Sequence, residues 1–270
     1  MPDGGPTQAD WRATVPGVVA QCVEEWGLRL GEPYAPGAAG YAVRVDLADG
    51  TPAVLKVGFP HREGVHEADA LERWDGEGAV RLLARDDESG ALLLERAEPG
   101  TTLSEAPNAL DVLIGLLPRL WKSGDGFHTL EDEVGYWVDE IERDVRDRRL
   151  KVAALHYIRE LAATQGAPVL VHQDLHGENV LAAQREPWLV IDPKPLAGER
   201  EFAVASIVRS FELGHSRRDV LYRLDRLTDE LGLDRDRALG WTVAQTVAWS
   251  GGSDYIDEHV ETVRWLLEDA

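Results

Sequence analysis

The chain has 270 residues, 44% of them hydrophobic, which is enough to bury a sizeable core as one domain or two lobes. Its formal charge of −21 at pH 7 argues against a nucleic-acid binder or an anionic-membrane protein, either of which needs a basic face, although it would attract a polycationic small molecule. A single cysteine, Cys22, rules out internal disulfides and thiolate metal clusters and suits a reducing cytosol. The opening Met-Pro-Asp-Gly-Gly-Pro carries neither a basic region nor an apolar leader, and no apolar run is long enough to span a membrane; the expectation is a soluble, cytoplasmic protein.

In chain order, Ala9–Gly27 reads as an amphipathic helix with Val15, Val18, Val19, Cys22 and Trp26 near one face, and with Pro16 in its first turn. Three strands follow: Arg29–Tyr34, Tyr41–Leu47, and Thr51–Val57 after the Asp49-Gly50 hairpin turn. Gly37-Ala-Ala-Gly40 reads either as an ordinary turn or as a flexible loop over a phosphate group. Lys56 lies inside the apolar run Ala-Val-Leu-Lys-Val, so its ammonium must snorkel out or meet a carboxylate. Taken alone it reads as an edge-strand surface lysine. His61–Trp74 reads as a helix on which Glu67 shares a face with Leu71 and Trp74. Glu67 is therefore the expected partner of Lys56, with Glu63 one turn earlier as the second choice.

Strands are expected at Ala79–Ala84 and Ala91–Arg96 around an Asp86–Gly90 turn, before Pro99-Gly100. Helices then dominate: Asn108–Trp121, the acidic Leu130–Arg146, and Lys151–Thr164. On the acidic helix the simplest reading is a solvated face with i,i+4 pairs, Asp139 with Arg143, Glu142 with Arg146 and Asp144 with Arg148. A rim for a cationic ligand is the sharper one. Trp121 and Trp137 read as packing residues. Past the strands described next, Glu201–Leu213, Arg218–Leu231, Asp234–Trp249 and Asp254–Glu268 read as helices, with Gly214 and Gly251-Gly252 as breaks. No internal repeat, linker or low-complexity segment interrupts the chain.

The chemistry concentrates in Val169-Leu-Val-His-Gln-Asp-Leu-His-Gly-Glu-Asn-Val-Leu181, followed by Asp192 in Leu-Val-Ile-Asp-Pro-Lys. Short apolar strands alternate here with His172, Asp174, His176, Asn179 and Asp192, polar groups that a core rejects unless they are partnered. An aspartate that orients and deprotonates a hydroxyl, beside an amide and a carboxylate that hold Mg2+ on nucleotide phosphates, is one job this set suits. His172 and His176 are four apart, but no third His or Cys stands at a recognisable spacing, so zinc is not expected. There is no G-x-x-x-x-G-K-[ST] sequence, which excludes a Walker-type nucleotide enzyme.

His172-x-Asp174-x-x-x-x-Asn179 followed by Asp192 resembles the catalytic and metal loops of the protein-kinase-like fold. The form His-x-Asp-Leu-His-x-x-Asn, with Ile-Asp-Pro-Lys and Gly198-Glu199 downstream, is similar to the aminoglycoside phosphotransferases, nearest the branch of streptomycin and hydroxyurea kinases. The similarity runs from about Gly37 to Arg209 and implies an α+β bilobal fold: a small β-rich lobe over 1–98 and a larger, mainly helical lobe over 99–270. It implies ATP and Mg2+, with Asp174 as catalytic base, Asn179 and Asp192 on the metal, and Lys56 with Glu67 on the α/β-phosphates. It places the adenine edge at the backbone of Glu95, Arg96 and Ala97. His172 would orient the loop, and His176 would face the γ-phosphate or be structural.

Two departures stand out. Gln173 occupies a position often held by Gly. Phe202 is followed by Ala203, where these kinases usually carry an aspartate that braces the catalytic loop. The implied activity is ATP-dependent phosphorylation of a small-molecule hydroxyl, on a streptomycin-like antibiotic or hydroxyurea. A kinase for an amino sugar or amino alcohol, or an inactive ligand-binding relative, are the alternatives. For a cationic acceptor, the expected contacts come from Glu131, Glu133, Asp254 and Glu258.

Overall fold

The computed structural model describes residues 7–35, 40–250 and 257–270. The chain forms two compact units, 1–100 with 182–191, and 101–181 with 192–270.

The first unit is a five-stranded antiparallel sheet of order β1-β2-β3-β5-β4, formed by β1 (Arg29–Pro33), β2 (Gly40–Asp46), β3 (Pro52–Gly58), β4 (Leu82–Asp86) and β5 (Ala91–Glu95). β3 alternates: Ala53, Leu55 and Val57 are fully buried, and the residues between them are half-buried. The buried set packs with Trp11, Val15, Val19 and Cys22 of α1 (Gln8–Glu25), so one sheet face is closed by that helix. α1 opens on a reciprocal cap between Thr7 and Asp10. Pro16 therefore falls inside the helix rather than in its first turn, a correction to the sequence reading. α2 is shorter than expected, Glu67–Trp74, with only a 3-10 turn at Arg62–Gly64 before it. β8 (Trp188–Val190) joins this unit through hydrogen bonds between Val190 and residues Gly78 and Val80.

The second unit is helical: α3 (Ala109–Leu120), α4 (Leu130–Asp144), α5 (Arg148–Ala162), α6 (Ala205–Val208), α7 (Arg217–Leu231), α8 (Arg235–Trp249) and α9 (Asp257–Asp269). Side-chain caps from Thr129, Asp147, Ser216 and Asp234 start α4, α5, α7 and α8. α8 is buried along almost its whole length. At Gly240 a Cβ would come within 2.6 Å of the Tyr157 ring, so α5 approaches α8 more closely than an alanine would allow. α4 stops at Asp144, where Asp147 begins the next cap. The expected pairs across Arg146 and Arg148 therefore lie beyond the helix, and Arg143 closes on its neighbour Asp144 at 2.8 Å. Glu201–Leu213 is not one helix but two 3-10 turns around the four-residue α6.

Three short strands remain. β6 (Val169–Val171) pairs antiparallel with β9 (Leu196–Gly198), setting Val171 opposite Leu196, and β7 (Val180–Ala182) follows the loop that leaves β6. No helix among the described residues is long and apolar enough to cross a membrane.

Candidate active site

In the first unit, Lys56 stands on the central strand of the sheet and not on an edge. Ala42 and Leu92 are its cross-strand neighbours on the face opposite α1. The first turn of α2 presents Glu67 to it. Lys56 Nζ meets Glu67 Oε1 at 2.6 Å and Oε2 at 2.7 Å, with both side chains nearly buried. Burial at this site requires each charge to have the other. Glu63, the second choice, lies beside Arg62 instead. Of the glycine-rich loop, residues 37–39 lie outside the described residues. Gly40 opens β2, and a Cβ there would lie 3.7 Å from Lys56 Cε.

The side chain and N–H of Glu95 are both engaged within the first unit. Its N–H donates to the Arg81 carbonyl, and its carboxylate takes Arg185 Nε and Nη2, both at 2.8 Å. Burial works to raise its pKa, but Arg185 and the Arg81 N–H outweigh it and keep the group an anion. These contacts engage the Glu95 N–H and carboxylate, while the adenine edge was expected at the backbone of Glu95, Arg96 and Ala97. The Arg96 side chain bonds Glu98.

In the second unit, the β6–β9 register builds the site. With Val171 opposite Leu196, the residues just outside the paired strands meet, and the Lys194 N–H donates to the His172 carbonyl at 3.0 Å. The Asp174 N–H donates to the same carbonyl at 2.9 Å and lies 3.3 Å from His172 Nδ1. Buried His172 thus orients the loop through its main chain and ring together.

The half-buried Asp174 carboxylate carries a cation on each oxygen. Lys194 Nζ lies 2.8 Å from Oδ2, and Arg209 Nη2 lies 3.2 Å from Oδ1. Desolvation alone would raise its pKa. Lys194, then Arg209, then His176 more than reverse this and hold the carboxyl far below the usual carboxylate range. Asp174 is therefore an anion at any physiological pH, a strong hydrogen-bond acceptor and a weak base.

Asn179 closes the loop. Its Nδ2 donates to the Asp174 carbonyl at 2.9 Å and lies 3.2 Å from His176 Nε2. Because a carbonyl accepts, the contact to the Asp174 carbonyl fixes the amide orientation with Nδ2 on that side. Oδ1 is then the atom offered to a cation. His176 Nδ1 sits 3.2 Å from Glu212 Oε1, so its ring is committed on both nitrogens.

Asp192 is exposed and has a left-handed backbone, φ 53°, as does Gln173 at φ 66°. The loops after β6 and β8 thus each hold a non-glycine residue in a conformation that side chains disfavour. The Gly often found at the position of Gln173 has its physical reason in that angle. Gly177 is required as glycine: a Cβ there would come within 2.9 Å of the Ser104 backbone. No group of three or more His, Cys, Asp or Glu side chains able to hold a metal occurs among the described residues. An exposed carboxylate with one amide oxygen suits a hard cation that takes its remaining ligands from phosphate and water, as Mg2+ does.

The brace expected below the loop is supplied by other groups. Ala203 is buried, Ser206 Oγ donates to the Leu175 carbonyl at 2.8 Å, and Gln245 Nε2 donates to the Gln173 carbonyl at 3.0 Å. Gln245 Oε1 in turn accepts from Arg209 Nη1 at 2.6 Å. Glu199 anchors elsewhere, taking Arg237, the Gly166 N–H and the Trp241 indole.

Among the acceptor-side candidates, Glu133 is 1% exposed and takes Trp137 Nε1 at 3.0 Å and His128 Nε2 at 3.1 Å, so it fastens α4 and leaves the substrate set. Glu131 and Glu258 are exposed, and Asp254 lies outside the described residues.

Residues 31–253 match the family model described as aminoglycoside/hydroxyurea antibiotic resistance kinase. A streptomycin 6-kinase from Streptomyces griseus is 40% identical over 90% of this chain and 84% of its own length. The chain belongs to the aminoglycoside/hydroxyurea antibiotic resistance kinase family. A hydroxyurea phosphotransferase from Kitasatospora aureofaciens is likewise 40% identical, over 90% of this chain and 74% of that one. The family's protein-kinase-like fold is matched by an aminoglycoside phosphotransferase APH(4)-Ia in ternary complex with ADP and hygromycin B. The TM-score is 0.64 at 17% identity, covering 93% and 96% of the two chains. Choline kinase LicA from Streptococcus pneumoniae matches at TM-score 0.67 and 15% identity, covering 94% and 98%.

The resistance-kinase loops were legible in the sequence. Lys194, Arg209, Glu212 and Gln245 were not singled out. Lys194 had a signal, since it stands two residues after Asp192 in the same short motif. The other three lie on elements whose approach to the loop only the fold determines.

Proposed function

We propose that this family member phosphorylates a hydroxyl group of a streptomycin-like aminoglycoside or of hydroxyurea, using ATP. The observation that carries the reading is the loop 172–179. There the Asp174 carboxylate, paired with Lys194 and Arg209, stands in a loop whose Asn179 donates to the Asp174 carbonyl and leaves its amide oxygen for a cation.

In this reading the acceptor hydroxyl donates to the Asp174 carboxylate, which fixes its oxygen for in-line attack on the γ-phosphorus. The oxygen–phosphorus bond forms as the bond to the β-phosphate oxygen breaks, and ADP leaves. Because Asp174 is a weak base, the hydroxyl proton passes to it late, when the attacking oxygen has already lost most of its electron density. Positioning and charge neutralisation then supply most of the rate. Asn179 Oδ1 and Asp192 would hold Mg2+, which when bound offsets charge on the phosphates. Lys56, set by Glu67, would take the α/β-phosphate oxygens. The main chain of Glu95, Arg96 and Ala97 would meet the adenine edge. Glu131 and Glu258, with Asp254, remain the acids proposed for a cationic acceptor.

The test is ATP consumption by the purified protein against streptomycin, other aminoglycosides, hydroxyurea and neutral amino sugars, repeated with Asp174→Asn. Turnover should fall by about 10²-fold or more in the variant, with nucleotide affinity nearly unchanged, because the substitution removes the orienting anion and no metal ligand. Turnover within a few-fold of the unaltered protein would remove Asp174 from this role.

A further inference from the structure

The position two residues after the aspartate of such a loop is His176, and its ring is already engaged by Glu212 and Asn179. The cation nearest the Asp174 carboxylate comes from the other loop. Lys194 is held there from three directions. Its N–H is on the His172 carbonyl, its own carbonyl accepts from Gln173 Nε2 at 3.3 Å, and its ammonium lies 4.9 Å from the centre of the Trp249 ring. Arg209 differs. Its side chain is 6% exposed, clamped by Gln245, and its guanidinium carbon lies 4.4 Å from the centre of the same indole, whereas the Lys194 side chain is 23% exposed. Of the two cations on Asp174, Arg209 is built into the core and Lys194 reaches solvent.

We propose that Lys194 is a catalytic residue: its ammonium bridges Asp174 and the phosphoryl group being transferred. The inference rests on the phosphotransferase reading. An acceptor hydroxyl bonded to Asp174 lies within about 3 Å of that carboxylate, and Lys194 Nζ is 2.8 Å from Oδ2. The ammonium has three N–H groups, so one can stay on Asp174 while another turns to an oxygen of the γ-phosphoryl. As the acceptor oxygen–phosphorus bond forms and the bond to the β-phosphate oxygen breaks, charge spreads over the equatorial oxygens. A fixed cation beside them stabilises that arrangement more than it does bound ATP. No proton has to move on or off Lys194 for the step to balance.

The experiment compares Lys194→Met, Lys194→Ala and Lys194→Arg with the unaltered protein, using an acceptor on which the latter turns over. Methionine keeps an apolar stem against Trp249 without the charge. Lys194→Met and Lys194→Ala should lose about 10²-fold or more in kcat, with the KM values for ATP and acceptor within a few-fold. Lys194→Arg should regain part of the loss, and added methylamine or ethylamine should raise the rate of Lys194→Ala in a saturable way. A rise in KM at unchanged kcat, or a loss that neither arginine nor amine relieves, would overturn the assignment and leave Lys194 a packing residue. If the unaltered protein phosphorylates no acceptor, the phosphotransferase reading fails and the assignment falls with it. Normal turnover in Lys194→Met overturns the assignment alone.

Discussion

His259 is the residue whose environment was least visible in the sequence, because nothing in Asp-Glu-His-Val marks it as buried. It is 9% exposed on α9, its ring lies 6.0 Å from that of Phe211, and Nδ1 has no hydrogen-bond partner among the described residues. Desolvation, with Arg209 next and His215 adding to it, pushes its pKa down to about 4, against the opposing pull of Asp174 and Glu212. The folded state therefore binds this proton more weakly than the unfolded chain does. The contribution to stability is complete above about pH 6.5 and is lost as pH falls towards and through 4. Between pH 7 and pH 5 the unaltered protein should lose about 2 kcal/mol more than His259→Gln, read as the difference between their urea midpoints. Parallel pH profiles for the two proteins would show that the ring is solvated. By contrast, Asp174, Asn179 and Lys56 were readable because polar groups inside apolar strands are improbable without a task. The cations on Asp174, Lys194 and Arg209, were set by strand register and helix packing, which local patterning does not encode.

At the scale of elements, alternation and turn chemistry located all five strands of the first sheet to within a few residues. They failed where main-chain bonding is not periodic. The run Glu201–Leu213 is apolar enough for a helix, yet its main chain is drawn into 3-10 turns as Ser206 and Arg209 reach the catalytic loop. That reach is also why the missing brace at Ala203 has no vacancy to fill. The loop carbonyls of Gln173 and Leu175 already have donors, and the Asp174 N–H is on His172. Ala203→Asp should therefore destabilise the fold by more than about 2 kcal/mol, since it would bury a carboxylate at a position where the Asp174 N–H is already engaged by His172. A melting temperature equal to or above that of the unaltered protein would show that the position still accepts the family's aspartate.

For the whole molecule, the sequence reading divided the chain at 98 and 99, and the compact units divide after Gly100, with 182–191 counted in the first. That segment could not be assigned from sequence, because Val190 is tied to the strand region at 78–80 by hydrogen bonds between residues more than a hundred positions apart. The charge of −21 bears on the acceptor. Glu133 is buried and hydrogen-bonded by Trp137 and His128, and Asp174 is paired with Lys194 and Arg209, whereas Glu131 and Glu258 are exposed. If the preferred acceptor is a polycation such as streptomycin, its attraction to these acids is screened over a Debye length of about 8 Å at physiological salt. Raising ionic strength from about 20 mM to about 300 mM should then raise the acceptor KM several-fold, with kcat held. Glu131→Gln with Glu258→Gln should flatten the dependence while leaving the KM for ATP unchanged. A KM that stays flat in the unaltered protein, with folding verified by circular dichroism, would count against steering. Hydroxyurea, which carries no charge to screen, would then be the better acceptor.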